Sequence, residues 1–371
     1  MKKTAVVLVS AFVALIVAVG VCVGFLGYQY ASTAPSNIAQ DVVYEVVPGK
    51  AFNTIAKDLE NKGLVRNAFF FSMYARFKNE RSKVKVGEYL LRTNMNPGEV
   101  LDVITSGKSI ARAFTVSEGL SIYEISELYE KEGFGTAAEF MRLVRDPQLI
   151  QTLLGEKQES LEGYLFPETY MLTKFTDTKG LITAMVKRFL YVYNEIQPQS
   201  KLKGWSRHQI VTLASIVEKE TGAPQERPKI SSVFHNRLQK GMKLQTDPTI
   251  IYGKAETLGK IVINITRADL SAPTRYNTYV ISGLPPGPIA NPGREALLAA
   301  MNPEVTGYLF FVSQNDGTHV FSENYEAHNA AVKRFQLNAK AREGKSWRDL
   351  KAKPAGQKET GAGTGTKKAT P

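Results

Sequence analysis

The pattern of apolar and polar positions divides the chain into three stretches. Lys2 and Lys3 precede a run from Ala5 to Gly27 that carries no charge. As a helix that run would measure roughly 34 Å, enough to cross the hydrocarbon core of a bilayer. It exceeds the apolar part of a cleaved signal, and Pro35 follows the small-residue site Ser32-Thr33-Ala34, a poor place for cleavage. An uncleaved anchor over 1–28 is expected, with its lysine-flanked end in the cytoplasm. Residues 29–40 read as a polar stalk.

Alternation at Val42-Val43-Tyr44-Glu45-Val46-Val47 predicts a strand, and Pro48-Gly49 a turn. Phe52, Ile55, Ala56 and Leu59 then fall on one helical face, stopped by Gly63. The same unit returns seventy residues on. Phe114-Thr115-Val116 is the strand, Glu118-Gly119 the turn, Ile122, Ile125 and Tyr129 the face, and Gly133 the stop. Gly49 matches Gly119, Ile55 matches Ile125 and Gly63 matches Gly133, which makes this an internal repeat. Between the copies the pattern predicts a helix over 67–77, a strand over 86–92 and a short helix opened by Asn96-Pro97-Gly98-Glu99. The block 41–155 is expected to be a small α+β domain.

A second α+β block is expected over 156–345. Helices are predicted over 178–193, 206–220 and 224–241, the second opened by a Ser206/Gln209 capping box. Loops rich in Pro, Asn and Gly follow, then a helix over 294–301 and a hairpin around Asn315-Asp316-Gly317. A last helix is predicted from about Ser322 to Ala339. The stretch 346–371, mostly Gly, Thr, Lys and Ala, reads as a disordered tail.

Composition narrows the chemistry. The net charge is +12, and Lys351, Lys353, Lys358, Lys367 and Lys368 place part of it in the tail. Such charge favours acidic surfaces. No RNP pattern, Cys/His finger or basic helix points to nucleic acid. The single cysteine, Cys22, lies in the anchor, so the exported part has no disulfide, and a bacterial envelope protein fits. The four histidines are scattered without ligand spacing, so no metal site is expected. Ser200 and Lys203 form an S-x-x-K with no K-T-G after it, and no phosphate loop or other cofactor motif appears.

Two carboxylates draw attention. Ile210, Leu213, Ala214 and Val217 stripe the helix over 206–220, and Glu218 and Glu220 flank that stripe. One of them leaning into a cleft would gain the raised pKa a general acid needs, but periodicity does not choose between them. Nearby, His235-Asn236-Arg237, Gln245-Thr246-Asp247 and Asn277-Thr278-Tyr279 offer hydrogen-bonding groups. Tyr252, Tyr276 and Tyr279 could supply flat surfaces for sugar rings.

These segments resemble the YceG-like endolytic murein transglycosylases, the MltG family. The resemblance rests on Leu213-Ala214-Ser215-Ile216-Val217-Glu218-Lys219-Glu220-Thr221, Val233-Phe234-His235-Asn236-Arg237-Leu238 and Leu244-Gln245-Thr246-Asp247-Pro248-Thr249. It continues through Tyr276-Asn277-Thr278-Tyr279, the run Gly283 to Gly293, and Glu162 to Tyr170, and covers nearly the whole chain. It implies a LysM-like first domain and a catalytic second one. It also implies a lyase that cleaves the MurNAc–GlcNAc bond within peptidoglycan strands, without a cofactor and near cell-wall synthesis complexes at the inner membrane. The family's catalytic glutamate falls on Glu218. Asn236, Gln245, Asp247, Tyr276, Asn277 and Tyr279 are the expected substrate-binding groups. Two competing classes are a water-using glycosidase with Asp247 or Glu220 as base, and a glycan-binding scaffold without catalysis.

Overall fold

The computed structural model describes residues 2–338. The tail expected over 346–371 lies outside the described residues, as does the end of the block expected to reach 345. The chain is a mixed helix and strand protein, about half helical. It divides into two compact units.

The first unit comprises the chain up to Phe114 together with Thr169–Leu181. It opens with α1 (Lys2–Ser32), whose Leu15–Ser32 window is long and apolar enough to cross a membrane and has no part buried in the protein. Strand β1 (Asp41–Val46) pairs antiparallel with β2 (Gly87–Arg92), with Tyr44 opposite Tyr89. Helices α2 (Phe52–Asn61), α3 (Ala68–Phe77) and α4 (Pro97–Ser106) surround this ribbon. Phe52, Ile55, Ala56 and Leu59, the predicted face, are all in the core. Asn96 and Glu99 close α4 with a reciprocal capping box, satisfying two amides that a helix start leaves free. Strand β3 (Arg112–Thr115) pairs with β4 (Thr169–Leu172).

Residues 29–40 are fastened to this unit. Helix α1 runs on to Ser32, and Tyr30 donates from its hydroxyl to Asn67 O at 2.9 Å. Arg66 Nε donates to Ala34 O at 3.0 Å, and Thr93 Oγ1 to Ile38 O at 2.6 Å. Polar residues supply the groups that tie this segment down.

The second unit comprises Thr115–Glu168 and the chain from Ile182 onward. The second copy of the repeat belongs to this unit. Its helix, α5 (Ile122–Lys131), opens with a capping box between Ser121 and Glu124. It is followed by α6 (Ala137–Leu143) and α7 (Pro147–Leu154), which the periodicity did not reveal. Both copies use the same backbone: φ is +75° at Gly49 and +79° at Gly119, +68° at Gly63 and +74° at Gly133, a region that glycine enters without steric cost.

The remaining helices are α8 (Thr178–Ile196), α9 (Arg207–Glu220), α10 (Arg227–Gln239), α11 (Asp247–Leu258), α12 (Arg267–Ser271), α13 (Arg294–Met301) and α14 (Tyr325–Val332). Strands β5 (Phe310–Ser313) and β6 (His319–Ser322) form the expected hairpin. Helix α9 is the centre of the unit. Every residue from Ile210 to Val217 is buried, because α10, α11 and α13 pack around it. Sequence periodicity suggested one apolar stripe; Thr212 and Ser215, the polar residues within the stretch, are buried by spending their hydroxyls on His208 O and Thr212 O.

Candidate active site

Glu218 and Glu220 lie at the C-terminal end of α9, two residues apart and so about 200° apart around the helix. Each enters a different set of side chains.

Glu218 is nearly closed to solvent, its side chain 7% exposed. Its Oε1 accepts from Arg227 Nη2 at 3.0 Å, and its Oε2 from Gly293 N at 3.1 Å. Arg227 opens α10 and Gly293 caps the start of α13. Two helix beginnings thus point a guanidinium and a backbone N–H at one carboxyl group, each positive in character. Glu118 completes the cluster, with its Oε2 3.5 Å from Arg227 Nη2. Burial and the neighbouring Glu218 push the Glu118 carboxyl above its usual pKa. Arg227 Nε is buried without a hydrogen-bond partner among the described residues. A cleft of about 480 Å³ opens beside Arg227, lined also by Pro224, Pro228, Glu295 and Leu298.

The chain around this cluster is tightly fixed. Gly119 N donates to Asn291 O and Asn291 N to Leu120 O, both at 2.9 Å, while Lys219 Nζ donates to Gly119 O at 3.0 Å. Asn291 is fully buried; its amide donates to Leu120 O and Glu162 Oε1 and accepts from Leu165 N. Ile289 N donates to Ser215 Oγ at 3.0 Å, so the loop from Gly283 to Gly293 is held to α9 itself. A Cβ at Gly293 would lie 1.9 Å from Glu118 Oε1, and one at Gly163 2.6 Å from Pro288. At Gly163 the neighbour is a proline ring, whereas at Gly293 the Glu118 side chain would have to give way.

Glu220 faces the other way. Its carboxyl accepts from Thr246 Oγ1, and burial pushes it up to about 7. Here the segments around Gln245 and Tyr279 meet. Gln245 N donates to Thr278 O at 3.2 Å, Thr246 N to Thr278 Oγ1 at 3.0 Å, and the Tyr279 hydroxyl to Asp247 Oδ1 at 2.8 Å. Gln245 is exposed, with φ +49°.

The expected binding residues are therefore distributed rather than gathered on Glu218. Gln245, Asp247 and Tyr279 adjoin Glu220. Asn277 is fully buried and gives its amide to Asp269, Leu270 and Ala272 carbonyls. Asn236 gives its amide to Thr306 O and Tyr308 O, each at 2.9 Å. Tyr276 is buried against Tyr252 and lines a separate cavity of about 350 Å³ with His208, Glu159 and Pro288. Glu162 also lines that cavity; burial raises it to about 8 even though Ile122 N donates to it. The groups that gather at Glu218, namely Arg227 and the Gly293 amide in direct contact and Glu118 through Arg227, were not foreseen as site residues. Glu118 was legible only as a turn, and Arg227 only as part of the helix expected over 224–241.

Glu218 is thus a carboxyl held between an arginine and a helix start, on a buried helix of the second unit. The YceG-like family model matches residues 44–334. An endolytic murein transglycosylase of Bacillus subtilis (strain 168) is 32% identical over 302 residues, which is 77% of this chain and 82% of that protein. One of Streptococcus pneumoniae (strain R6) is 30% identical over 349 residues, 83% of this chain and 62% of that longer protein. The crystal structure of a YceG-like protein of Listeria monocytogenes is similar with a TM-score of 0.54 and 31% identity, over 79% of this chain and all of that one. The chain belongs to the YceG-like family.

Proposed function

We propose that the protein is an endolytic murein transglycosylase, a lyase that cuts the MurNAc–GlcNAc bond within peptidoglycan strands and leaves 1,6-anhydroMurNAc ends. The observation that carries this reading is the double grip of Arg227 and the Gly293 amide on Glu218, in a family whose curated relatives bear that name.

Glu218 starts as the acid. It gives its proton to the glycosidic oxygen, the C1–O bond breaks, and the GlcNAc side leaves as an alcohol. Charge then appears on the Glu218 carboxylate, where Arg227 and Gly293 N–H already point. Donors aimed at developing charge lower a barrier without reorganising. The same carboxylate next takes the proton from the MurNAc C6 hydroxyl as that oxygen bonds to C1. The ring closes, Glu218 is again protonated, and no water is consumed. The buried Arg227 Nε is a donor for a glycan oxygen. Gln245, Asp247 and Tyr279 form a polar edge for the strand, with Tyr276 set deeper; Asn236 and Asn277 shape the loops that carry them.

The α1 segment spans the inner membrane with Lys2 and Lys3 on the cytoplasmic side, and everything after it is exported. The small first unit acts as a LysM-like module contacting glycan. The enzyme works beside cell-wall synthesis complexes and ends strand elongation.

Mass spectrometry of purified glycan strands incubated with the full chain in detergent tests the reaction. Products one water lighter than hydrolysed ends are expected. Hydrated ends would replace the lyase with a hydrolase, and intact strands would leave a scaffold.

One observation favours Glu220 as the acid: its raised pKa, about 7, is that of a poised proton donor. Comparing Glu218→Gln with Glu220→Gln decides between them.

A further inference from the structure

Helix α3 shows the same kind of side chain to the core and to the outside. Phe71 and Ala75 are in the core of the first unit. On the opposite side Phe69, Phe70, Met73 and Phe77 are 68, 55, 53 and 88% exposed. At 100° per residue these four fall within an arc of about 100° on the helix. A contiguous apolar face on a small unit marks a docking surface.

Three observations say what covers it. The face is continuous with α1: the Tyr30 ring meets the Phe70 ring at 5.6 Å, and the Tyr30 hydroxyl donates to Asn67 O at the start of α3. The connection after α1 is hydrogen-bonded to the same unit through Arg66 and Thr93, so α3 is held at the end of the apolar span. Finally, the face is bordered by the exposed cations Arg66, Arg76 and Lys78. The nearest acid of α2, Glu60, is already paired with Lys57. Aromatic rings beside cations are the composition of helices that lie at the lipid–water boundary.

We propose that α3 lies in the interface of the membrane that α1 crosses, with Phe69, Phe70, Met73 and Phe77 among the upper acyl chains and Arg66, Arg76 and Lys78 against lipid phosphates. This rests on the reading of α1 as a membrane span. The first unit then has two attachments to the bilayer, one crossing it and one lying on it.

Site-directed spin labelling of the full chain in vesicles of mixed zwitterionic and anionic phospholipid tests this. Cys22, the only cysteine, is labelled in the wild type to report on α1. In a Cys22→Ser background, Met73→Cys and Phe77→Cys report on α3, and Lys57→Cys, exposed on α2, is the control. Collision with oxygen relative to a water-soluble nickel chelate should be several-fold higher at 73 and 77 than at 57, and high at 22. A label at 22 in hydrocarbon with labels at 73 and 77 as wet as that at 57 would overturn the docking and leave the span intact. A wet label at 22 would remove the span and the proposal with it. Dipolar broadening between labels at 77 would show the face meeting a second copy, and would also overturn it.

Discussion

Arg227 meets Glu218 at 3.0 Å with both side chains almost closed to water, 12 and 7% exposed. In the proposed reaction the guanidinium is already beside the oxygen on which charge develops as the proton leaves. Arg227→Ala should lower kcat for strand cleavage by about 10²-fold, the scale for removing one donor to developing charge. Arg227→Lys should recover part of this, because it keeps the charge and loses the planar fork. A kcat for Arg227→Ala within threefold of wild type, measured as anhydro ends released, would take the guanidinium out of the reaction.

Glu218→Gln preserves size and removes the transferable proton. The expected loss is roughly 10²–10⁴ in kcat, with the circular dichroism spectrum unchanged. Glu220→Gln should cost far less. The reverse order of damage would transfer the acid role to Glu220.

Gly293→Ala adds a methyl group into the position of Glu118 Oε1, 1.9 Å away. Glu118 has to withdraw, and the Gly293 amide shifts with its backbone. Small displacements of catalytic contacts cost up to about 10² in rate. We expect kcat to fall at least tenfold while glycan strands still bind in pull-down. Unchanged kcat would mean that the Glu118 position is immaterial.

Glu162 and Glu220 give stability a predictable slope with pH. Their folded values, about 8 and about 7, are raised by burial above the usual glutamate value of about 4.5. Between 4.5 and these values the folded state binds more protons than the unfolded chain. Stability is therefore full below about pH 4.5 and is lost as pH rises through 7 and 8. The Tm of Glu220→Gln should fall less steeply than that of wild type from pH 5 to pH 8 in scanning calorimetry. Parallel curves would contradict the burial of this carboxyl.

Asn291→Ala leaves Leu165 N, Leu120 O and Glu162 each short of one partner. At about 1–3 kcal/mol for each unsatisfied buried group, a loss of roughly 3 kcal/mol or more is expected. Urea unfolding would show it as a lower midpoint at unchanged slope. A loss under 1 kcal/mol would mean that water replaces the amide.

Local patterning made most elements readable. Spacing alone placed α2, α5 and α9, and the capping box at Ser206 marked the start of the last of them. Helices α6 and α7 escaped because they have only seven and eight residues, too few turns for a period to stand out. The site was readable to a smaller extent. Sequence order brought Glu218 and Glu220 to notice, and the family resemblance chose between them. Arg227 and Gly293 reach Glu218 across sequence separations of 9 and 75 residues, and Glu118 joins through Arg227 across 109; periodicity carries no information at that range. The hydrogen bonds that fasten 29–40 were hidden for the same reason, because Arg66 and Thr93 lie far along the chain.

The two turns of the repeat share a backbone and have opposite freedoms. Gly49 is exposed, with nothing within 4 Å of an added Cβ; Gly119 is buried, with Glu218 Cγ 3.5 Å from that point. Pro48 stands where the second copy has Glu118. The two turns thus share one shape while only the second packs against Glu218. The open first turn is where an engineer can attach a dye or graft a peptide; at the second, each change meets the Glu218 side chain.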